Sequence, residues 1–479
     1  MIPASLGELA EYCGGVVHGD TRTTVTAPAQ VDSRLVNAGS LFVAVRGEHA
    51  DGHDFAGAAF EAGAAAVLCS TPVMEPCVVV PDPIAALGRI ARGIIDRLHQ
   101  VRIVAVTGSQ GKTTVKDLLG HVLAPLGPVV AAHGSFNNEL GVPLTALRAT
   151  EDTRFLVVEM GARGIGHIET LCRITPPDVS VVLNVGTAHL SEFGSAEAIA
   201  RAKGEIVRAL GPAGVAVLND DDRRVRAMAE LARGRVVTFG SHGDLSVSDV
   251  ILDEVGHLEL TLGWQQHHRL ARVPLIGEHH AANAAAAAAV AVGEGADLDT
   301  VADALQTATP DSPMRLARTE TARGLIILDD SYNANPESVA AGLRALVAIA
   351  HPREAAHGRA YAVLGEMREL GPAAAAAHRR IGSLARSLGV DEVIVVGPED
   401  GYAAEISGGA ADIATPVDDP AAAVDALSGR LRPGDVVLVK ASRAARLEQV
   451  ADALRDPGLP MRHESSDRPD RARQEPLHE

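Results

Sequence analysis

The sequence predicts an α/β protein of three domains, built on parallel sheets with helices on both faces. The chain has 479 residues and is 47% hydrophobic, which allows a proper core in each of about three domains. Short apolar runs recur along it with alanine-rich helical stretches between them, and this alternation is typical of parallel sheets. One such run leads through a glycine-containing loop into a helix, which predicts a nucleotide-binding central domain.

That loop, Thr107 to Thr114, reads TGSQGKTT and follows the apolar run Val101 to Val106. Glycines let the backbone turn its N–H groups toward a phosphate, and the next helix N-terminus adds positive potential. Lys112 can reach the outer phosphates, and the hydroxyl of Thr113 can hold Mg²⁺. The alternative is a glycine-rich turn with a chance lysine. The pattern favours binding of ATP or GTP through Gly108, Ser109, Gln110, Gly111, Lys112, Thr113 and Thr114.

Lysine is rare in this chain. Only four of its 43 basic residues are lysines, namely Lys112, Lys116, Lys203 and Lys440. Arginine is a permanently charged planar group, whereas a lysine amine is a compact charge that can also be deprotonated and modified. We therefore expect lysine-specific chemistry at Lys112 and Lys203, and a solvated surface position for Lys116.

Composition narrows the class of partner and the compartment. A formal net charge of −18 argues against nucleic acid or an anionic membrane as the main partner. The four cysteines have neither metal-site nor disulfide spacing, which favours a reduced cytoplasmic compartment. No apolar stretch is long enough to span a bilayer, and Ala281 to Val292 is expected to be a buried helix. We expect a soluble cytoplasmic monomer.

The first predicted domain, residues 1–99, has short alternating segments such as Ser40 to Val45 and Ala65 to Leu68. Its loops contain Asp32-Ser33-Arg34 and Asp51-Gly52-His53. Such groups suit an anionic sugar nucleotide, but they are also common turn and cap residues. The residues alone leave both interpretations open.

The central domain is predicted at residues 100–313. Strands of a mainly parallel sheet are expected at Phe155 to Val158, Val179 to Leu183, Val215 to Leu218 and Val236 to Phe239. Parallel sheets place ligands at the carboxyl ends of their strands. Glu159 and His189 each follow such a strand and could therefore converge on the phosphate loop and its metal.

A smaller Rossmann-like domain is predicted at residues 314–460. Its strands are expected at Leu325 to Leu328, Ala360 to Leu364, Glu392 to Val396 and Asp435 to Val439. The boundary near 309–313 contains prolines and could act as a hinge. The tail at 461–479 mixes both charges with almost no apolar residues and is expected to be disordered.

Taken together, the motifs closely resemble those of the Mur ligases, ATP-dependent enzymes of peptidoglycan precursor synthesis. The resemblance covers residues 5–455. Beside the phosphate loop it rests on Asn137-Asn138-Glu-Leu-Gly141-Val-Pro143, Glu159-Met-Gly161, Asn184-Val-Gly-Thr-Ala-His189, Ala202-Lys203-Gly-Glu205, Gly277-Glu-His279 with Asn283, and Asp329-Asp-Ser-Tyr-Asn-Ala-Asn-Pro-Glu-Ser338.

Within that family, segments 330–336 and 364–371 resemble the members that add D-alanyl-D-alanine to UDP-N-acetylmuramoyl-tripeptide. The Tyr-Ala-His-like segment and Asp-Asn-Pro-Arg motif usual in members that add the third residue are absent. Folylpolyglutamate synthase shares the loop but lacks an N-terminal UDP-sugar domain. A nucleotide-binding protein that has lost ligation is the alternative from another class.

The resemblance implies a reaction in which ATP converts a carboxylate into an acyl phosphate, which an amine then attacks. Lys112, Glu159, His189 and Lys203 would be its catalytic residues. Thr113 and Glu159 would hold one Mg²⁺, and His189 and Lys203 a second. An ammonium cannot bind a cation, so Lys203 would act as a carbamate formed with CO₂. The alternative for Lys203 is an ion pair with Glu205 or an adjacent helix carboxylate.

Further roles follow from the same resemblance. Asn283 would bind adenine, while Arg315 and Asp330 would reach the phosphates and ribose from the third domain. The residues expected to contact the UDP substrate or the dipeptide are Ser33, Arg34, Asn137, Asn138, Asn333, Asn335, Lys440, Ser442 and Arg443. Since these groups are divided between domains, catalysis is expected to require closure of an open apo form.

Overall fold

Parallel sheets flanked by helices recur along the whole chain, which confirms the predicted α/β class. The computed structural model describes residues 1–47, 50–186, 190–309, 312–351, 358–399 and 401–461. His189, two residues of the expected hinge and the tail at 462–479 lie outside the described residues. The chain divides into two units, Met1–Pro313 with Glu369–Gly371, and Met314–Arg368 with Pro372–Glu479. The predicted boundaries of three domains stay predictions.

The first unit begins with a small α/β layer. Its strands are β1 (Ala4–Ser5), β2 (Val16–His18), β3 (Thr24–Val25), β4 (Ala27–Gln30), β5 (Ser40–Val43), β6 (Ala66–Cys69) and β7 (Cys77–Val79). Its helices are α1 (Leu6–Cys13), α2 (Ala56–Glu61) and α3 (Pro83–Ile95), with short 3₁₀ helices at Ser33–Leu35 and Gly52–Phe55. Strands β4 to β7 are parallel neighbours in that order, and β2 joins β7 antiparallel.

A nine-stranded sheet follows in the same unit. Its strands are β8 (Arg102–Thr107), β9 (Val129–Ala131), β10 (Phe155–Glu159), β11 (Val179–Val182), β12 (Val215–Asn219), β13 (Arg235–Gly240), β14 (Leu245–Leu252), β15 (His257–Trp264) and β16 (His267–Ile276). The order β9-β10-β8-β11-β12-β13-β14 is parallel, as predicted. Strands β14 to β16 form an antiparallel extension that the sequence analysis missed.

Helices cover both faces of this sheet. They are α4 (Lys112–Leu123), α5 (Gly141–Ala146), α6 (His167–Ile174), α7 (Leu190–Phe193), α8 (Ala196–Lys203), α9 (Glu205–Arg208), α10 (Arg223–Arg226), α11 (His280–Gly293) and α12 (Leu298–Gln306). All alanines of α11 except Ala282 are buried, which confirms the expected buried helix. Their small side chains let α11 pack closely against α4.

The burial of Lys116 differs from the solvated surface position that was expected for it. The side chain is 2% exposed rather than solvated. Its amine donates to the carbonyl of Ala132 at 2.7 Å and forms an ion pair with Asp117. A buried ammonium is stable only when such partners replace water.

The second unit has one six-stranded sheet. Its strands are β17 (Ala317–Glu320), β18 (Ile326–Asp329), β19 (Ala360–Leu364), β20 (Glu392–Val396), β21 (Ala414–Val417) and β22 (Val436–Lys440). Its helices are α13 (Pro336–Ala350), α14 (Ala374–Leu388), α15 (Tyr402–Ala410), α16 (Pro420–Leu427) and α17 (Glu448–Leu454). The order β18-β22-β19-β20-β21 is parallel, and β17 pairs antiparallel at the edge. The predicted strands are found within about one residue of their expected limits.

The cysteines are free and buried. Burial raises the pKa of the Cys172 thiol to about 12, so this thiol stays protonated and unreactive. Among the described residues, no helix combines the length and the apolar character that crossing a membrane requires.

Candidate active site

Three neighbouring strands of the nine-stranded sheet end at one edge. Strand β8 runs into the phosphate loop, β10 ends at Glu159, and β11 is followed by Asn184. In the parallel register Glu159 is opposite Val106, and Val182 is opposite Thr107. The predicted convergence of Glu159 on the loop is therefore found. His189 lies outside the described residues.

Two glycines allow the loop to take its path. At Gly111, φ is 82°, and a Cβ would lie 2.4 Å from Oδ1 of Asn283. At Gly108, a Cβ would lie 2.9 Å from the Cβ of Leu183. Lys112 begins α4, and its amine donates to the carbonyl of Gly108 at 2.9 Å. The lysine thus lies along the loop at a helix N-terminus, where phosphate oxygens bind favourably.

Thr113 and Glu159 are brought together as predicted. The Thr113 hydroxyl donates to Oε2 of Glu159 at 2.8 Å, and its oxygen lies 2.9 Å from the hydroxyl of Ser135. The amide of Asn137 donates to the other carboxylate oxygen at 2.7 Å. Glu159 is 1% exposed. This set of hard oxygen atoms fits Mg²⁺, which prefers carboxylate and hydroxyl ligands.

The described residues contain no cluster of three His, Cys, Asp or Glu side chains suited to a metal. A cation at this edge would therefore depend on Thr113, Glu159 and the phosphates. Asn138 points its side-chain oxygen at the start of α5, where Gly141 N–H donates to it at 2.9 Å. That oxygen is therefore occupied by a backbone donor, and the substrate contact expected of Asn138 stays a prediction.

Lys203, at the last residue of α8, is 6% exposed. Among the described residues none forms a hydrogen bond or ion pair with it. Burial, with a smaller effect of the positive charge on Lys112, lowers the pKa of Lys203 well below its ordinary value. The amine therefore takes its neutral form far more readily than a surface lysine.

The alternative of a Lys203–Glu205 pair is wrong. Glu205 instead accepts hydrogen bonds from the N–H groups of Gly166, at 2.6 Å, and Glu169, at 3.0 Å. These are donors at the N-terminus of α6, which favours a carboxylate. The carboxylate of Glu205 is thus committed to a helix end.

Asn283 lies behind the phosphate loop in α11 and is 6% exposed. Its amide is hydrogen-bonded to Nδ1 of His280 at 3.0 Å, and its oxygen packs against Gly111. Burial lowers the pKa of His280 well below its ordinary value, so the ring is neutral. Adenine recognition by Asn283 stays a prediction, since these contacts place it next to the loop without showing a ligand.

In the N-terminal layer, each of the two candidate loops is held by contacts that its own side chains make. Arg34 forms a paired ion contact with Asp32, and its side chain is 86% exposed. This pairing lowers the pKa of Asp32 to about 2. His53 links the Asp51 carboxylate to the N–H of Ser70, at 2.5 and 3.0 Å. The turn-and-cap interpretation thus describes these residues in the free protein, and substrate contacts by Ser33 and Arg34 stay predictions.

The second unit holds a buried charged pair at the ends of β18 and β22. The amine of Lys440 donates to Oδ2 of Asp330 at 2.6 Å and to the carbonyl of Asn333 at 2.9 Å. Burial raises the pKa of Asp330 and lowers the pKa of Lys440, while their attraction opposes both shifts. Arg315 lies over the ring of Tyr332, 4.0 Å from its centre. Arg315, Asp330 and Lys440 thus form one local cluster.

The other predicted residues of this unit have structural partners. Asn335 caps α13 by accepting from the N–H of Ser338 at 2.8 Å. The hydroxyl of Ser442 accepts from the N–H of Arg368 at 2.9 Å, and Arg443 lies 3.7 Å from Glu448. Asn333 is exposed. Of these four, Asn333 and Arg443 offer the most accessible side chains for a substrate.

Replacing Lys440 by methionine is expected to lower the free energy of unfolding by roughly 3–5 kcal/mol, because the buried carboxylate of Asp330 loses its hydrogen-bonded ammonium partner. Adding Asp330→Asn should recover much of that loss, since the remaining amide is neutral. Denaturant unfolding of the two variants measures both changes. An unfolding midpoint unchanged in Lys440→Met would contradict the buried pair.

Asn184 belongs to the motif at residues 184–189 but is not among the predicted site residues. Its side-chain oxygen accepts from the N–H groups of Ser109 and Gln110, both at 3.0 Å. Its amide donates to the carbonyl of Gln110 at 3.2 Å. The available signal was its position two residues after the end of β11, at the same sheet edge as Glu159.

Three family models match successive segments of the chain. The Mur ligase family catalytic domain matches residues 29–95, the Mur ligase middle domain 106–291, and the Mur ligase glutamate ligase domain 314–443. These matches follow the chain order of the N-terminal layer, the nine-stranded sheet and the second unit.

Full-length relatives and solved structures agree with the models. The UDP-N-acetylmuramoyl-tripeptide–D-alanyl-D-alanine ligase of Mycobacterium tuberculosis is 44% identical over 95% of this chain and 98% of its own length. That of Escherichia coli is 34% identical over 96% and 100%. A crystal structure of MurF from Acinetobacter baumannii superimposes with a TM-score of 0.83 at 30% identity, covering 95% of this chain and 99% of that one. MurF from Thermotoga maritima in complex with ADP gives 0.76 at 31%, covering 90% and 97%. Because the similarity runs through all three family domains and nearly the full length of each relative, the chain belongs to the Mur ligase family.

Proposed function

We propose that the chain is an ATP-dependent ligase that joins D-alanyl-D-alanine to UDP-N-acetylmuramoyl-tripeptide and forms the pentapeptide precursor of peptidoglycan. The observation that carries this proposal is the 44% identity to a ligase of that name over 95% of the chain. The phosphate loop, Thr113 and Glu159 meet at one sheet edge, which supports use of ATP. The ADP bound to the Thermotoga maritima relative supports the same conclusion.

The reaction requires a carboxylate oxygen to become a good leaving group. The tripeptide carboxylate attacks the γ-phosphorus of ATP, which gives an acyl phosphate and releases ADP. The amine of D-alanyl-D-alanine attacks the acyl carbon, after which phosphate and a proton leave. Two negative reactants must approach each other, so cationic groups such as Lys112 supply much of the stabilisation.

The cofactor assignments belong to the proposal. Mg²⁺ at Thr113 and Glu159 would neutralise charge on the β- and γ-phosphates. The buried amine of Lys203, whose pKa is lowered by burial, suits carbamate formation, because only an uncharged amine reacts with CO₂. A carbamate would give this position the negative charge that a second Mg²⁺ requires. His189 would be the other residue that holds this ion.

Substrate contacts and domain closure are also proposed. Ser33 and Arg34 would face the UDP group, while Asn137 and Asn138 would face the muramoyl peptide. Asn333, Asn335, Lys440, Ser442 and Arg443 would handle the peptide carboxylate and the incoming dipeptide. Arg315 and Asp330 would reach ATP on closure. A monomer is the proposed working form.

The test is phosphate release from ATP with Mg²⁺, UDP-N-acetylmuramoyl-tripeptide and D-alanyl-D-alanine, each omitted in turn. We expect release that needs all four and a pentapeptide product by mass spectrometry. Activity only with a dipeptide precursor plus a diamino acid, or with folate plus glutamate, would assign another ligase reaction. Absence of turnover with every substrate set would contradict ligation.

A further inference from the structure

Asn184 connects the end of β11 to the phosphate loop through every polar atom of its side chain. The carboxamide oxygen accepts from two successive N–H groups, those of Ser109 and Gln110, and the amide donates to the Gln110 carbonyl. The carbonyl of Asn184 also accepts from Ser109 N–H at 3.1 Å. The contact is reciprocated, since Gly186 N–H donates to the hydroxyl of Ser109 at 2.9 Å.

These bonds determine which part of the loop can receive phosphate. A phosphate loop binds its ligand through backbone N–H groups turned inward. The N–H groups of Ser109 and Gln110 are already satisfied by an amide, so phosphate oxygens would have to displace it. Phosphate oxygens are therefore expected to bind nearer to Gly111 and the N-terminus of α4, where Lys112 and Thr113 lie.

The segment that carries Asn184 is itself fixed from behind. Asn219 donates to the carbonyl of Leu183 at 2.8 Å, and Val185 N–H donates to Asp222 at 2.8 Å. These two bonds hold the backbone on both sides of Asn184 and so fix the position of its side-chain amide. His189 follows five residues later in the chain.

We infer that Asn184 is a positioning residue for ATP, which holds Ser109 and Gln110 in the conformation that directs the phosphates to Gly111, Lys112 and Thr113. This inference rests on the proposed function. It assigns Asn184 no contact with the nucleotide. Its effect should therefore appear in phosphate-dependent nucleotide affinity and not in binding of the UDP substrate.

The test compares Asn184→Leu with Asn219→Leu. Both changes replace an amide by an apolar group of similar size, but only Asn184 contacts the loop. ADP affinity is measured by titration of a fluorescent methylanthraniloyl-ADP with Mg²⁺, and affinity for UDP-N-acetylmuramoyl-tripeptide by calorimetry. We expect Asn184→Leu to weaken ADP binding by about tenfold or more, equivalent to about 1.4 kcal/mol, with UDP-substrate binding unchanged.

Asn219→Leu should lower the melting temperature and, because Asn219 supports Asn184 only through the carbonyl of Leu183, should weaken ADP binding clearly less than Asn184→Leu does. Asn184→Asp keeps the acceptor for both N–H groups and should recover part of the ADP affinity. If Asn184→Leu does not fold, Asn184→Ala is titrated in its place. Wild-type ADP affinity in a folded Asn184 variant would overturn the inference. Failure of the wild-type protein to bind ADP would instead contradict the proposed function.

Discussion

Replacing Lys203 by alanine is expected to lower the rate of pentapeptide formation by roughly 10³-fold, while ADP binding changes little. The lysine is buried, has no partner among the described residues, and has its pKa lowered by burial and by Lys112. A simple structural ammonium would be expected to have a carboxylate partner, and Glu205 is committed to α6. The position therefore suits a modified amine.

The variant Lys203→Arg distinguishes a role of the positive charge at this position from a role of its carbamate. Arginine keeps a positive charge and a long side chain, but it cannot form a stable carbamate. We expect it to be as inactive as Lys203→Ala. Lys203→Arg or Lys203→Ala with full activity in the phosphate-release assay would contradict the carbamate role.

Carbamate formation at Lys203 is expected to increase as the pH rises. Only the neutral amine reacts with CO₂, and its fraction increases as pH rises through the lowered pKa of Lys203. Protein depleted of CO₂ should therefore regain activity with bicarbonate more completely at higher pH. Nuclear magnetic resonance with carbon-13 bicarbonate should show a carbamate signal in the wild type that is absent in Lys203→Arg.

Contacts between sequence neighbours were the ones that the sequence predicted well. The phosphate loop joins a strand, two glycines and a helix start within a few residues, so Lys112 and Thr113 could be assigned locally. Glu159 was predicted as well, because parallel strands bring their carboxyl ends to one edge. Glu159 lies 46 residues from Thr113, so this contact is the one distant pairing that the strand pattern itself indicated.

Long-range partners that do not follow from the alignment of parallel strands were the part that the sequence could not supply. Glu205 could pair with Lys203 by its spacing, but it bonds to N–H groups 36 and 39 residues away. Asn184 reaches the loop across 74 and 75 residues. Lys116 is buried by partners that periodicity does not reveal. The extension of β14 to β16 was missed because its strands are buried mainly on one face, unlike the continuous apolar runs of the parallel strands.

Glu159→Gln is expected to lower kcat/KM by about 10²–10³-fold and to raise the Mg²⁺ concentration needed for half-maximal activity. The change removes one negative charge and keeps the size of the side chain. Thr113 and Asn137 now donate to its two oxygens, at 2.8 and 2.7 Å. A glutamine offers one oxygen and one amide, so it cannot accept both bonds, and it binds a hard cation less well.

Glu294→Gln is the matched control, because the Glu294 carboxylate is also largely buried in the first unit and is bonded by Arg102 at 2.6 Å. Loss of that ion pair should reduce stability without changing the Mg²⁺ dependence. The two variants thus distinguish a carboxylate that binds a metal from one that only balances a charge. Equal Mg²⁺ requirements in wild type and Glu159→Gln would contradict the assignment, since lost stability alone lowers the amount of folded protein and leaves its metal affinity unchanged.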